Sequence, residues 1–289
     1  LSQLIRLTQG QRIKNLNNCA RCQAHKMSNI LDKIFKDKKK ELPDTQRKTS
    51  LSEIKQRISD QQPTLDVYKA LEKSSSSRII AEIKPKTPFK GELRKGFDAK
   101  TIARDYVEYG AATISILTES NYFGSNIEVL PEVRKVAPIP LLRKDFIFDE
   151  YQVFESRAYG ADLFLLIATW LDKNLMADLL CQGKELGMPA LIETHNEWDM
   201  EKAFAANAEL IGINNRDLRD LSTDISRTFD FAPTLPNDRI IISESGIYSN
   251  EQVRELAPAV DGFLVGSSLM AMDNNQYNDI DLACRKLIF

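Results

Sequence analysis

Residues 162–194 read DLFLLIATWLDKNLMADLLCQGKELGMPALIET. A near-continuous apolar run from Asp162 to Ile167 leads into an amphipathic stretch, Asp172 to Leu186, and then a second apolar run, Pro189 to Thr194. Strands that are apolar without alternation are covered on both faces, as parallel strands are. Two parallel strands need a long crossover between them, and an amphipathic helix supplies it. The stretch therefore spells one strand–helix–strand unit.

The same unit recurs in both directions. Runs at Arg78 to Lys84, Ala112 to Thr118 and Ile139 to Lys144 precede it, and Glu209 to Asn214, Arg239 to Glu244 and Gly262 to Gly266 follow. Their starts are 34, 27, 23, 27, 20, 30 and 23 residues apart. An all-β meander would return about every 8–12 residues, so the spacing is that of βα units. Helical patterns at Ala99 to Tyr109 and Asn250 to Leu256 lie between runs. Eight units predict an α/β fold, a closed (β/α)8 TIM barrel over 78–289. No Gly-x-Gly-x-x-Gly opens the first helix, which argues against an open doubly wound sheet. Ahead of the barrel, 27–77 reads as two or three helices packing on it. Asp32 to Leu42 is charge-laced, Thr49-Ser50 and Ser52 start the next helix, and Ser74 to Ser77 is a linker.

Composition removes several classes of function. The chain has 289 residues, 43% hydrophobic and 28% charged, which excludes a disordered polypeptide. A formal net charge of −2 gives no basic field for nucleic acid or an anionic membrane. The longest uncharged apolar runs, Leu163 to Leu171 and Gly262 to Met272, fall short of the roughly 18 residues of a spanning helix. No nucleic-acid or membrane partner is expected. Cysteines at 19, 22, 181 and 284 form no dense framework, which fits a reducing, cytoplasmic setting, with Cys181 and Cys284 as buried or bystander thiols.

Residues 1–26 are different in character. They hold five Lys or Arg and no acid, which leaves 27–289 at −7, and Met27 opens a new register. Three readings compete: an organellar targeting segment, an upstream extension with Met27 as the natural start, or a zinc site around Cys19-x2-Cys22-x2-His25. A closed zinc site needs a fourth ligand, and no second CxxC or HxxxH follows. The segment is read as a basic, flexible, dispensable leader, with no metal.

Barrel chemistry sits at the C-terminal ends of the strands. Strand 1 ends Ala81-Glu82-Ile83-Lys84, and period two puts Glu82 and Lys84 inside if Ile83 faces the helices. Strand 3 brings Lys144, strand 5 Glu193, strand 6 Asn214 and Arg216, and strand 7 Glu244. Any one of these alone is as readily a structural ion pair. Five strands delivering such groups toward one mouth favour a site. Ser245-Gly246 after strand 7 and Gly266-Ser267-Ser268 after strand 8 point to a phosphate, although each glycine alone is a plain turn.

These residues resemble the indole-3-glycerol-phosphate synthase family of tryptophan biosynthesis, over almost all of 27–289. The resemblance rests on IAEIK (80–84), GAATISILT (110–118), FGS (123–125), LRKDFI (142–147), Tyr151-Gln152, Glu155, Arg157-Ala158 and GAD (160–162). It continues through IGINNRDL (211–218), SESGI (243–247) and FLVGSSLM (263–270). The family usually reads Lys-Lys-Ala-Ser-Pro-Ser-Lys-Gly after strand 1, where this chain has KPKTPFKG (84–91). Thr87 keeps a hydroxyl, Phe89 replaces the second Ser, and Pro85 stiffens the loop.

The resemblance implies a monofunctional carboxy-lyase. It closes, decarboxylates and dehydrates 1-(2-carboxyphenylamino)-1-deoxyribulose 5-phosphate to indole-3-glycerol phosphate, without cofactor or metal. On this reading Lys144 is the general acid, useful near neutral pH if desolvation or a nearby cation lowers its pKa, with Arg143 adjacent but facing away. Glu193 and Glu82 are the base candidates, Lys84 is a second acid, and Asn214 orients substrate. Arg216 pairs with the anthranilate carboxylate. Glu244 binds a sugar hydroxyl or holds a lysine. Ser245, Gly246, Gly266 and Ser267, with Lys84, take the phosphate, and Thr87, Phe123 and Phe146 line the site. His195 is a loop residue. The chain stops after one barrel and a closing helix, so one activity is expected, in a monomer or weak homo-oligomer. Rival readings are a Schiff-base phospho-sugar aldolase, a non-catalytic phosphate-metabolite-binding barrel, and a metal-dependent nucleic-acid binder through 1–26, which the −7 body disfavours.

Overall fold

The computed structural model describes residues 30–72, 78–89, 91–94, 96, 98–218 and 220–270. Eight parallel strands close into a barrel: β1 (Ile79–Ile83), β2 (Thr113–Leu117), β3 (Leu141–Lys144), β4 (Leu163–Ile167), β5 (Ala190–Thr194), β6 (Leu210–Asn214), β7 (Ile240–Glu244) and β8 (Gly262–Val265). Each pairs with its neighbours in chain order, and β8 returns to β1 through Ile79↔Phe263. Helices lie between the strands, so this is a (β/α)8 TIM barrel.

Period two sorts each strand into two cores. Ile80, Leu142, Leu165, Leu191, Leu210, Ile242 and Leu264 share the cluster inside the barrel. Ala81, Ile83, Ile116, Leu166, Ile192 and Ile213 belong to the larger layer that the outer helices cover. Ile83 thus faces the helices, which turns Glu82 and Lys84 inward.

The N-terminal helix α1 (Ile30–Lys48) runs past the expected Asp32–Leu42 and continues through Pro43. Tertiary anchors hold it over the loops that follow β2, β3 and β4. Phe35 stacks on Trp170 at 5.5 Å and meets Phe148 edge-on at 5.2 Å. Trp170 Nε1 donates to Asp32 (2.8 Å), Tyr122 OH to Asp37 (2.7 Å), and Lys38 Nζ lies 3.0 Å from Asp145. Asp145 also takes Thr118 Oγ1 at 2.7 Å and Arg143 Nη2 at 3.1 Å, so the residue after Lys144 is fixed from three directions. Helix α2 (Leu51–Ser59) starts at Ser50 with a capping box: Ser50 Oγ takes the Glu53 N–H at 3.3 Å, and Glu53 takes the Ser50 N–H at 2.6 Å.

At the opposite end, the buried Asp162 accepts the N–H groups of Leu65 and Leu141, each at 2.8 Å, and an ion pair from Arg134. One carboxylate thereby ties the N-terminal segment to two strands. Cys181 is exposed, so of the two readings, a buried or a bystander thiol, the buried one does not hold. Residues 1–29, the serine linker, Cys284 and the closing helix lie outside the described residues. Among those described, no group of three His, Cys, Asp or Glu is placed to hold a metal, and no helix is long and apolar enough to cross a membrane.

Removing the Asp162 carboxylate strands one buried and one partly buried N–H donor and a partly buried guanidinium. Asp162→Ala is expected to lose about 3 kcal/mol of stability in urea unfolding. Because the site lies at the other end of the barrel, kcat per folded molecule should match wild type.

Candidate active site

Lys144 closes β3, and its side chain rises into a ring of carboxylates from other strands. Nζ lies 3.1 Å from Glu193 Oε2 on β5, 3.2 Å from Glu244 Oε2 on β7 and 3.9 Å from Glu82 Oε2 on β1. Glu82 also pairs with Lys84. The second oxygen of Glu193 takes Asn214 Nδ2 at 2.9 Å. Asn214 Oδ1 in turn takes the backbone N–H of Arg216 at 3.0 Å, so β6 and its loop are locked to the same carboxylate.

Electrostatics give each carboxylate a different character. For Glu193, burial opposes ionisation, but Lys144, the adjacent His195 and a hydrogen bond from Asn214 outweigh it and hold the group well below the usual carboxylate range. Glu82 is lowered in the same way: Lys84 and Lys144 overcome its burial. Glu244 goes the other way. Burial, with repulsion from Glu193 and Glu82, overrides Lys144 and pushes it up to about 8. The three carboxyl groups around Lys144 are therefore unequal: Glu193 and Glu82 ionise readily and Glu244 resists.

Lys144 itself departs from the expectation of a lowered pKa. Burial does disfavour its charge, but attraction from Glu193, Glu244 and Glu82 is stronger and raises it. The nearest cation in sequence, Arg143, points outward to Asp145 at 3.1 Å and Glu155 at 2.8 Å. Lys144 is a fixed ammonium.

A cavity of about 170 Å³ opens above this cluster. Lys84, Glu82, Lys144, Glu193, Asn214 and Arg216 reach its wall. So do Thr87, Phe123 and Phe146, and on the far side Ser245, Gly246, Gly266 and Ser267. Glu244 does not. It lies beneath Lys144, 1% exposed, with Oε1 unpartnered, so of its two expected roles it holds the lysine. Arg216 is partly engaged, donating Nη1 to Leu221 O at 2.8 Å.

Two glycines make room for the carboxylates. A Cβ at Gly212, paired with Glu193 across β5 and β6, would fall on Glu244 Oε1. A Cβ at Gly266 would fall on Glu82 Oε1. Gly266 thus has a steric duty in addition to the anion role read from the sequence. Ser245 is left-handed (φ 66) before Gly246 (φ 76). That uncommon backbone for a serine is held by Asn215 Nδ2 on Ser245 O at 3.1 Å.

Some wall residues escaped the sequence reading. Leu31 comes from α1 and Trp170 from the turn after β4, where Trp170 lies 5.7 Å from the Phe146 ring. An aromatic just past the end of strand 4 was the only signal for Trp170, and α1 carried none for Leu31. Phe89 sits exposed at the rim, beyond the two-residue ribbon Lys86–Thr87 and Gly91–Glu92. His195, read as a loop residue, is buried with Nε2 3.1 Å from Glu193 Oε1.

Comparison with known proteins agrees with this geometry. A sequence profile described as Indole-3-glycerol phosphate synthase matches residues 31–281. Indole-3-glycerol phosphate synthase of Burkholderia lata is 41% identical over 250 residues, covering 86% of this chain and 96% of that protein. The enzyme of that name from Sulfurimonas denitrificans is 39% identical over 264 residues, covering 90% and 98%. Tryptophan biosynthesis protein TrpCF of Vibrio cholerae is 41% identical over 266 residues, which are 92% of this chain but 55% of that longer protein. A solved structure described as "Native KDPGal structure" aligns with a TM-score of 0.50 at 15% identity, over 73% of this chain and 90% of that one, a likeness of fold alone.

Glu244 gives a signed pH prediction. Its pKa is raised from 4.5 to about 8, so the folded protein retains a proton that the unfolded chain releases. The associated stability is full below the unfolded value and is lost as pH rises through the folded one. Glu244→Gln keeps a neutral group and escapes that loss. In urea unfolding, the stability of the variant relative to wild type should rise steadily between pH 5 and pH 8, roughly the window between those two values.

Proposed function

This chain belongs to the indole-3-glycerol phosphate synthase family, carboxy-lyases of tryptophan biosynthesis acting on a small phosphorylated substrate, and we propose how its own residues divide that reaction. The observation that carries the proposal is one ammonium, Lys144, held between Glu193 and Glu244 at the floor of the cavity.

The substrate presents an anthranilate ring, a ketone and a phosphate. The ring lies against Leu31, Phe123, Phe146 and Trp170, and its carboxylate meets the planar fork of Arg216. The phosphate goes to the turns at Ser245-Gly246 and Gly266-Ser267, with Lys84 beside it. This places the ketone above Lys144. As the aromatic carbon attacks, negative charge builds on the ketone oxygen, and a preorganised ammonium stabilises it and passes the proton. A raised pKa suits this donor: it is charged in every resting molecule, and the oxygen becomes basic enough only near the transition state.

Ring closure leaves an iminium nitrogen that draws in the electrons of the breaking C–CO2 bond. Dehydration then needs a base and an acid. Glu193 is the base, since it is kept ionised and lies 3.1 Å from the acid, with Glu82 behind it. Lys84 protonates the departing hydroxyl, and Asn214 keeps Glu193 in place. The same reading takes the enzyme as cytoplasmic, a monomer or weak homo-oligomer, with no nucleic-acid partner.

A Schiff-base aldolase is not favoured, because imine formation needs a neutral amine and Lys144 is held cationic. A binding-only barrel is not favoured either, since the charged groups remain assembled around the cavity.

Indole fluorescence on adding 1-(2-carboxyphenylamino)-1-deoxyribulose 5-phosphate is the test. Wild type should turn over, and Lys144→Ala should lose at least about 100-fold in kcat. Borohydride added during turnover should trap no adduct on either lysine. A Lys144→Ala enzyme with wild-type kcat would remove the acid assignment.

A further inference from the structure

His195 and Glu193 share one face at the end of β5, because residues two apart in a strand point the same way. Thr194 between them turns outward and donates to Gly212 O at 2.8 Å. The imidazole is 4% exposed. Nε2 faces Glu193 Oε1 at 3.1 Å, the oxygen turned away from Lys144. Nδ1 faces Thr169 Oγ1 at 3.3 Å, on the turn after β4, with Asp199 Oδ2 at 3.9 Å. The backbone is pinned as well: the His195 N–H donates to Asp199 Oδ2 at 3.2 Å, and its carbonyl accepts from Arg227.

The hydrogen count of this arrangement is informative. Thr169 Oγ1 gives its hydrogen to Asp199 Oδ2 at 2.7 Å, so toward the imidazole it can only accept, and Nδ1 must donate. Nε2 is buried and makes no hydrogen bond of its own, so its contact with Glu193 Oε1 is one of close approach. Asp199, behind the imidazole, is itself met by Lys202 at 3.3 Å. Arg227, paired with Asp217, closes the shell from the next helix, and Lys144 lies beyond Glu193.

We propose that His195 is a positioning residue for the base: its imidazole stands against Glu193 Oε1 from behind, so that Oε2 stays on Lys144 and toward substrate. Its support runs back through Thr169 to the turn after β4 and through Asp199 to the helix Glu197–Ala205 that follows β5. This rests on the assignment of Glu193 as base.

Two substitutions separate the two nitrogens. His195→Asn keeps an amide nitrogen toward Thr169 and removes the one toward Glu193, whereas His195→Gln does the reverse. His195→Asn is expected to lose about 10- to 100-fold in kcat, within the range of coupling between residues in contact, with KM within about twofold. The acidic limb of its pH–rate profile should move to higher pH, because Glu193 loses a neighbour that favours its ionised form. His195→Gln should recover most of the kcat and restore the limb. Unfolding midpoints are taken alongside, and unequal kcat at equal midpoints supports positioning. Equal falls in both variants that track lowered midpoints would reduce His195 to a structural role and overturn the proposal. So would wild-type kcat and pH profile in His195→Asn beside an inactive Glu193→Gln. An active Glu193→Gln would instead remove the base assignment on which the proposal stands.

Discussion

A single ammonium amid three buried carboxylates is the constraint around which this barrel is arranged. Charges of opposite sign at about 3 Å, away from water, attract strongly, but only if every partner is delivered to the same point. Lys144 ends β3, and Glu82, Glu193 and Glu244 end or nearly end β1, β5 and β7. No two of the four are neighbours in sequence. The closed sheet brings them together, and the register Glu193↔Gly212 and Asn214↔Glu244 sets their heights.

The demand for space and balance spreads outward from that point. Gly212 and Gly266 have no side chain because carboxylates occupy the volume a Cβ would need. Glu244 retains a proton because its burial, with repulsion from Glu193 and Glu82, outweighs the attraction of Lys144. Asp145, next to Lys144, is clamped by Lys38 of α1, by Thr118 and by Arg143, so the N-terminal helix helps hold the acid in place. A site of this kind is polar where a stable barrel would be apolar, and the apolar layers below it and outside it hold the fold together.

Much of this was legible in the chain. Spacing and unbroken apolar runs were enough for eight βα units, and period two at Glu82-Ile83-Lys84 put both charges inside. The helix start at Ser50 was readable because a capping box is local. What failed to show depended on distant parts of the chain. The outward facing of Arg143 was readable, but the condition for a lowered Lys144 pKa, desolvation or a nearby cation, could not be weighed against three carboxylates that come from other strands. For Glu244 the sequence left two roles open, a sugar hydroxyl or a lysine, and only its depth below the cavity wall separates them. His195 does follow the strand as a loop residue, but nothing nearby in sequence names Thr169 as its partner or shows its burial. Leu31 joins the wall only because α1 crosses the mouth.

The structure of the enzyme with a substrate analogue whose ketone is reduced to a hydroxyl, and which therefore cannot close the ring, tests the central claim most directly. The oxygen at the ketone position should lie about 3 Å from Lys144 Nζ, and the phosphate against the Ser245-Gly246 and Gly266-Ser267 turns. That oxygen placed on Lys84, with Lys144 buried beneath the analogue and out of reach, would contradict it and make Lys144 a structural counter-ion.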